Sequence, residues 1–282
     1  MRWLVTGAGG MLGLDLCAAL AAAGESRVVA ATRADLNVAD AEAVRDAVAG
    51  VDVVLNAAAW TDVDGAETAE DTATAVNGHA ARILAEAAGV RLLHISTDYV
   101  FDGAATVPYA EDAEPAPINA YGRSKLVGER AVLAAGGYVV RTAWLYGAHG
   151  RNFVRTMLRL AGERETVDVV ADQEGPPTWS YALAGQVVAL GAAAAAGRAA
   201  PGVYHGTAGG QTSWYGLARA VFAEAGLDPG RVRPTTSDRF RRPARRPTYS
   251  VLGHEHWSGT GVSPLPYWRD MLTMAMPICI GS

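Results

Sequence analysis

Apolar positions in the first half of the chain fall into short blocks separated by longer alanine-rich stretches. The blocks RWLVTG, RVVAAT, DVVLNAAA, VRLLHIST and GYVVRTAWLYG are near-continuous in Val, Leu, Ile and Ala, the pattern of strands buried on both faces. The stretches between them predict helices from Met11 to Ala23, near 40–49, near 70–88 and from Asn119 to about Ala135. Strands that alternate with helices of this length pair in parallel through right-handed crossovers, so the fold class is α/β, a Rossmann-type doubly wound parallel sheet. After Gly147 the rhythm loosens into NFVRTMLRLAGER, a strand TVDVV, a Pro-Gly loop DQEGPPTW, another helix, the strand-like GVYHGTA, a helix near 213–225 and an Arg-Pro-rich tail. This places a nucleotide-binding domain over 1–145, with segments of about 165–206 returning to its sheet, and a smaller C-terminal substrate-binding lobe over 146–282.

Composition narrows the partners. A chain of 282 residues with net charge -5 and half its residues apolar carries no global positive field for nucleic acid or an anionic membrane. The alanine-rich run VVALGAAAAAGRAA is too short and too interrupted to span a bilayer. The N-terminus enters a strand at once, with no room for a signal peptide. Cys17 and Cys279 are the only cysteines, which excludes a disulfide framework and fits a cytoplasmic protein.

Two local patterns carry chemistry. In VTGAGGMLG, Gly7, Gly10 and Gly13 lie between the first strand and first helix, where they allow a tight turn, backbone approach to a pyrophosphate and close helix packing. The second strand ends AATRADLNVAD, with Arg33 and no acid at its tip, which favours the 2′-phosphate of NADPH over NADH, although NADH stays possible. The second pattern is YGRSK. Lys125 is the only lysine among 24 basic residues, and it follows Tyr121 by four, one turn along the same helix face. An ammonium beside a phenol favours the phenolate and brings its pKa toward neutrality, and a guanidinium differs in bulk and donor geometry. Ser96, Thr97 and Asp98 end the fourth strand, where ligands of open α/β sheets collect.

With TGAGGMLG, NAAAWTDVDGAE, STDYVFDG, YGRSK, RTAWLYG, NFVRTMLRLA, DQEGPPTW and RRPTYSVL in this order, the chain resembles the dTDP-4-dehydrorhamnose reductase family of extended short-chain dehydrogenase/reductases, from the first strand to about residue 252. The resemblance implies that Thr97, Tyr121 and Lys125 are catalytic, reducing the C4 ketone of a dTDP-4-keto-6-deoxysugar. It further implies that Gly7, Gly10, Met11, Leu12, Gly13, Arg33, Asn37, Ala57, Ala58 and Ala59 hold the cofactor. Thr61, Asp98 and Trp144 would lie near the sugar, and Asn152, Gln173 and Arg245 near the nucleotide diphosphate. Asn37 stands where the family has an acid, and Tyr181 where metal-linked dimeric members carry a glutamate. No metal is therefore expected, even with Asp15 nearby, and the chain is a monomer or a homodimer. The alternatives are a reductase of another dTDP-4-keto-deoxysugar in natural-product biosynthesis, or a non-catalytic nucleotide-binding regulatory subunit. STDYVF lacks the Asp-Glu pair expected of a dehydratase.

Overall fold

The computed structural model describes residues 1–281. Its first half runs β1 (Arg2–Thr6), α1 (Met11–Ala22), β2 (Arg27–Ala31), α2 (Ala41–Val48), β3 (Val53–Asn56), α3 (Val63–Ala66), α4 (Glu70–Thr74), a π-helical turn (Ala75–His79), α5 (Ala80–Ala88), β4 (Leu92–Thr97), α6 (Ala120–Ala134) and β5 (Tyr138–Thr142). The second half adds β6 (Leu145–Tyr146), α7 (Phe153–Glu163), β7 (Val167–Val170), β8 (Glu174–Gly175), β9 (Thr178–Trp179), α8 (Ser180–Ala195), β10 (Gly202–His205), β11 (Thr212–Ser213), α9 (Trp214–Glu224), β12 (Val232–Thr235) and α10 (Trp268–Gly281).

Six parallel strands form one sheet in the order β10-β5-β4-β3-β1-β2. The chain leaves β1 outward to β2 and then returns to β3 on the other side, so the topological switch point lies between β1 and β3. One helix layer packs α1 and α8 over Trp3, Val5, Leu55 and Val140, and the opposite layer seals Leu4, Val54, Leu92 and Val139 under α2 and α5. β3, β4 and β5 are buried on nearly every residue, as continuous apolar runs require, whereas the edge strand β2 is largely exposed.

A separate apolar cluster joins Tyr146, Val154 and Met157 to Leu217, Val221, Phe222, Met271 and Leu272. Of residues 165–206, α8 and β10 return to the main sheet and β7 does not. β7 pairs in parallel with β12, because its inward residues Val167 and Val169 complete the second cluster. The helix expected near 70–88 is broken by the π turn at Asn77, a local rearrangement that no apolar period signals. The Arg-Pro-rich tail ends in α10, whose Met271, Leu272, Ala275 and Met276 face the second core.

Candidate active site

β1 delivers the chain into the glycine loop, and close packing explains its composition. Gly7 has φ +70°, and a Cβ there would meet the Ala58 backbone nitrogen at 2.5 Å. A Cβ on Gly13 would lie 2.1 Å from the Gly7 carbonyl oxygen. The N-terminus of α1 is capped by Gly10 with no side-chain hydrogen bond, and its first turn holds no acid. By contrast Asp40 caps α2 and Asn119 caps α6. The free N–H groups of α1 therefore form a cradle for an anionic group.

A cleft of about 1120 Å³ opens from this loop and is lined by Gly7, Gly10, Met11, Leu12, Gly13, Arg33, Asn37, Ala57, Ala58 and Ala59. At the tip of β2 the nearest acid is Asp35, whose carboxylate accepts from the Thr32 backbone N–H at 2.9 Å and the Thr32 hydroxyl at 2.6 Å. Those bonds hold Asp35 below the usual carboxylate range and bind it into the turn, leaving Arg33 on the cleft wall. The Asn37 amide oxygen accepts from the Ala39 N–H at 3.1 Å.

The same cleft reaches Ser96, Thr97, Asp98, Tyr121 and Lys125 at the C-terminal ends of the strands. Thr97 ends β4; its hydroxyl donates to the Asp98 carboxylate at 3.0 Å and accepts from the Tyr99 N–H at 3.2 Å. Tyr121 stands in the first turn of α6, beside Thr97 and Asp98. One turn further, Lys125 is 2 % exposed, donates from Nζ to the Ile95 carbonyl at 2.6 Å and lies 3.3 Å from His94 Nε2. Gly122 lets α6 come this close: a Cβ there would sit 2.0 Å from the Tyr99 carbonyl oxygen.

The electrostatics of this cluster correct one expectation. Within the protein alone, the Tyr121 phenol moves up from its ordinary range, first through burial and then through the Asp98 carboxylate, while the Thr97 hydroxyl opposes the rise. Loss of hydration acts on Lys125 as well. Desolvation pulls its pKa down to about 8, against the pull of the Glu129 carboxylate. Asp98 is pushed up to about 7 by burial.

Of the residues expected around substrate, Thr61, Asp98 and Trp144 line the cleft. Trp144 has φ +50°, the one non-glycine residue at positive φ among the described residues, and stacks on Trp214 at 3.5 Å and 5°. Asn152, Gln173 and Arg245 are not brought into the cleft wall. Both halves of the Asn152 amide are spent on backbone, one capping α7 at the Arg155 N–H and the other donating to the Gly147 carbonyl. Gln173 stands one shell back, accepting from the Trp214 indole at 3.2 Å. Arg245 offers its carbonyl to Asn119, and its side chain is exposed. It is Arg246 that is the more buried, hydrogen-bonded to Asp64 and the Ala244 carbonyl and close to Tyr99. Asp15 is turned toward the Ser180 hydroxyl and His149, and among the described residues no group of three or more His, Cys, Asp or Glu could hold a metal.

Several contributors went unread in the sequence. Trp214 is hidden in an ordinary helix start. Asn77 holds the Trp60 backbone at both N–H and carbonyl and donates to Ser124 on α6 at 2.9 Å. An asparagine inside a helical stretch was its only signal.

The family described as RmlD substrate binding domain matches residues 1–278. The chain belongs to the RmlD substrate binding domain family. Within it, the chain is 52% identical to dTDP-4-keto-6-deoxy-D-glucose reductase of Streptomyces niveus, over 98% of this chain and 97% of that one. It is 51% identical to dTDP-4-dehydrorhamnose reductase of Streptomyces griseus, over 99% and 94%. The crystal structure of dTDP-4-dehydrorhamnose reductase from Bacillus anthracis in complex with NADP superposes with a TM-score of 0.91 at 36% identity, covering 98% of each chain. The glycine cradle and the Thr97, Tyr121 and Lys125 cluster thus belong to an RmlD fold.

Proposed function

We propose that this chain is an NADPH-dependent 4-ketoreductase of a dTDP-4-keto-6-deoxysugar, with dTDP-4-dehydro-L-rhamnose as its first candidate substrate and dTDP-L-rhamnose as product. The observation that carries the reading is one continuous cleft that joins an uncapped helix N-terminus to Thr97, Tyr121 and Lys125. The glycine loop, Arg33, Asn37 and Ala57 to Ala59 would hold NADPH, which would supply the hydride for C4. Thr97 and Tyr121 orient the C4 oxygen by hydrogen bonds, and the Tyr121 phenol gives that oxygen its proton. A phenol held above its ordinary range is kept protonated for that transfer. Lys125 provides the positive charge that stabilises the phenolate left behind. Thr61, Asp98, Trp144 and Trp214 frame the sugar, with Gln173 supporting Trp214.

A second reading, another dTDP-4-keto-deoxysugar in natural-product biosynthesis, is favoured by the relatives themselves: at 52% and 51% identity they carry different sugar names. No helix among the described residues is long and apolar enough to cross a membrane, and a sequence with only two cysteines fits a cytoplasmic location. Loss of NADPH absorbance with a panel of dTDP-4-ketosugars tests the assignment. The first reading expects the highest kcat/KM with the rhamnose precursor; a preference for another ketosugar selects the second, and no turnover with any of them leaves the regulatory-subunit alternative.

A further inference from the structure

Beneath the active site runs a buried chain of polar side chains whose hydrogen-bond polarity is set from one end. The Asn56 amide oxygen accepts from the Thr6 hydroxyl at 2.7 Å and from the Ala58 backbone N–H at 3.1 Å. A backbone N–H can only donate, so this end of the amide must be oxygen and the other end must be the NH₂ group. That NH₂ donates to His94 Nδ1 at 2.8 Å, which therefore carries a lone pair. A neutral imidazole then holds its proton on Nε2, 3.3 Å from Lys125 Nζ. The ring is fully buried and disfavours a second proton.

An ammonium has three donors and no acceptor, so opposite Nε2–H two donors would face each other, whereas an amine accepts that proton and still donates to the Ile95 carbonyl. We propose that His94, its tautomer locked by Asn56, is a positioning residue that opposes the ammonium form of Lys125 and so lowers the pH at which the ammonium gives up its proton. Of the charged groups on and around α6, Glu129 of the same helix favours the ammonium and is itself paired with Arg141 of β5. Glu70 of α4 is paired with Arg123, Asp98 and Tyr99 sit beside Tyr121, and His79 is exposed. The catalytic consequence rests on the proposed role of Lys125, but the protonation equilibrium does not, and it can be read without substrate.

The test uses the full chain. Because Lys125 is the only lysine, selective 15N labelling of lysine gives one Nζ signal, and labelled histidine reports the His94 tautomer, assigned by its loss in His94→Gln. In the native protein the His94 proton is expected on Nε2. In Asn56→Ala the proton is expected to move to Nδ1 and the lysine midpoint to rise by roughly one pH unit. A native His94 protonated on Nδ1, a tautomer unchanged in Asn56→Ala, or an unmoved lysine midpoint after the tautomer has switched would each overturn the proposal. If Asn56→Ala does not fold, the native tautomer decides. Failure to reduce ketosugars would sink the functional reading and leave this one standing.

Discussion

Asp98 shows how one residue can bear on both stability and turnover. Its carboxyl is 3 % exposed and its folded pKa of about 7 lies above that of an unfolded chain, so the protonated form stabilises the fold. That contribution is complete below about pH 4 and is lost as the pH climbs through about 7. Thermal melts between about pH 5 and 8 should therefore fall more steeply for the native protein than for Asp98→Asn, and equal slopes would refute the linkage. Tyr121→Phe removes the proposed proton donor and keeps the ring, so turnover should drop by roughly 100-fold or more while the melting temperature changes little. Tyr121 and Lys125 were legible in the sequence because four residues make one helical turn. Their pKa shifts were not, since desolvation depends on which neighbours exclude water.

At the scale of elements, α6 is the piece that assembles the site. Its Asn119 cap, its close approach at Gly122 and the buried Glu129–Arg141 pair, three hydrogen bonds of 2.8 to 3.2 Å, tie it to the loops and β5. Arg141→Met would strand a buried carboxylate and should cost about 3–5 kcal/mol in denaturant unfolding, while Glu129→Leu with Arg141→Met should recover much of that loss. A double variant as unstable as the single one would show that the pair does more than cancel its own charges. At the other end of the sheet, Gly13→Ala forces a Cβ against the Gly7 carbonyl, so NADPH affinity should fall roughly tenfold or more, read by cofactor titration. The glycine rhythm and most helix positions could be read from sequence. The π turn at Asn77 could not, because it is stabilised by contacts to Trp60 and Ser124 that are distant in the chain.

For the whole molecule, the division near residue 145 is a division of cores and not of the chain. Leu183, Val187 and Leu190 of α8 pack with Trp3, Leu16 and Leu20 in one cluster, and β10 closes the sheet beside β5. A fragment of residues 1–145 loses α8 from that helix layer and one edge strand and should lack the cooperative melt of the full chain by circular dichroism; a native-like melt would make the first domain autonomous. The Trp144–Trp214 stack packs against the second core and lines the cleft, so Trp144→Ala should raise the ketosugar KM roughly tenfold, about 1.4 kcal/mol, with a smaller change in kcat. The sequence by itself determined the doubly wound sheet, the glycine loop after β1 and the shared helix face of Tyr121 and Lys125, because these rest on short periods and on residues whose chemistry has few substitutes. Tertiary structure alone decided that Arg246 is more buried than Arg245, that Asn152 and Gln173 stand behind the cleft wall, and that His94 faces Lys125. Those outcomes depend on which buried donor meets which acceptor across segments far apart in the chain, a choice made by packing and desolvation that no local pattern encodes.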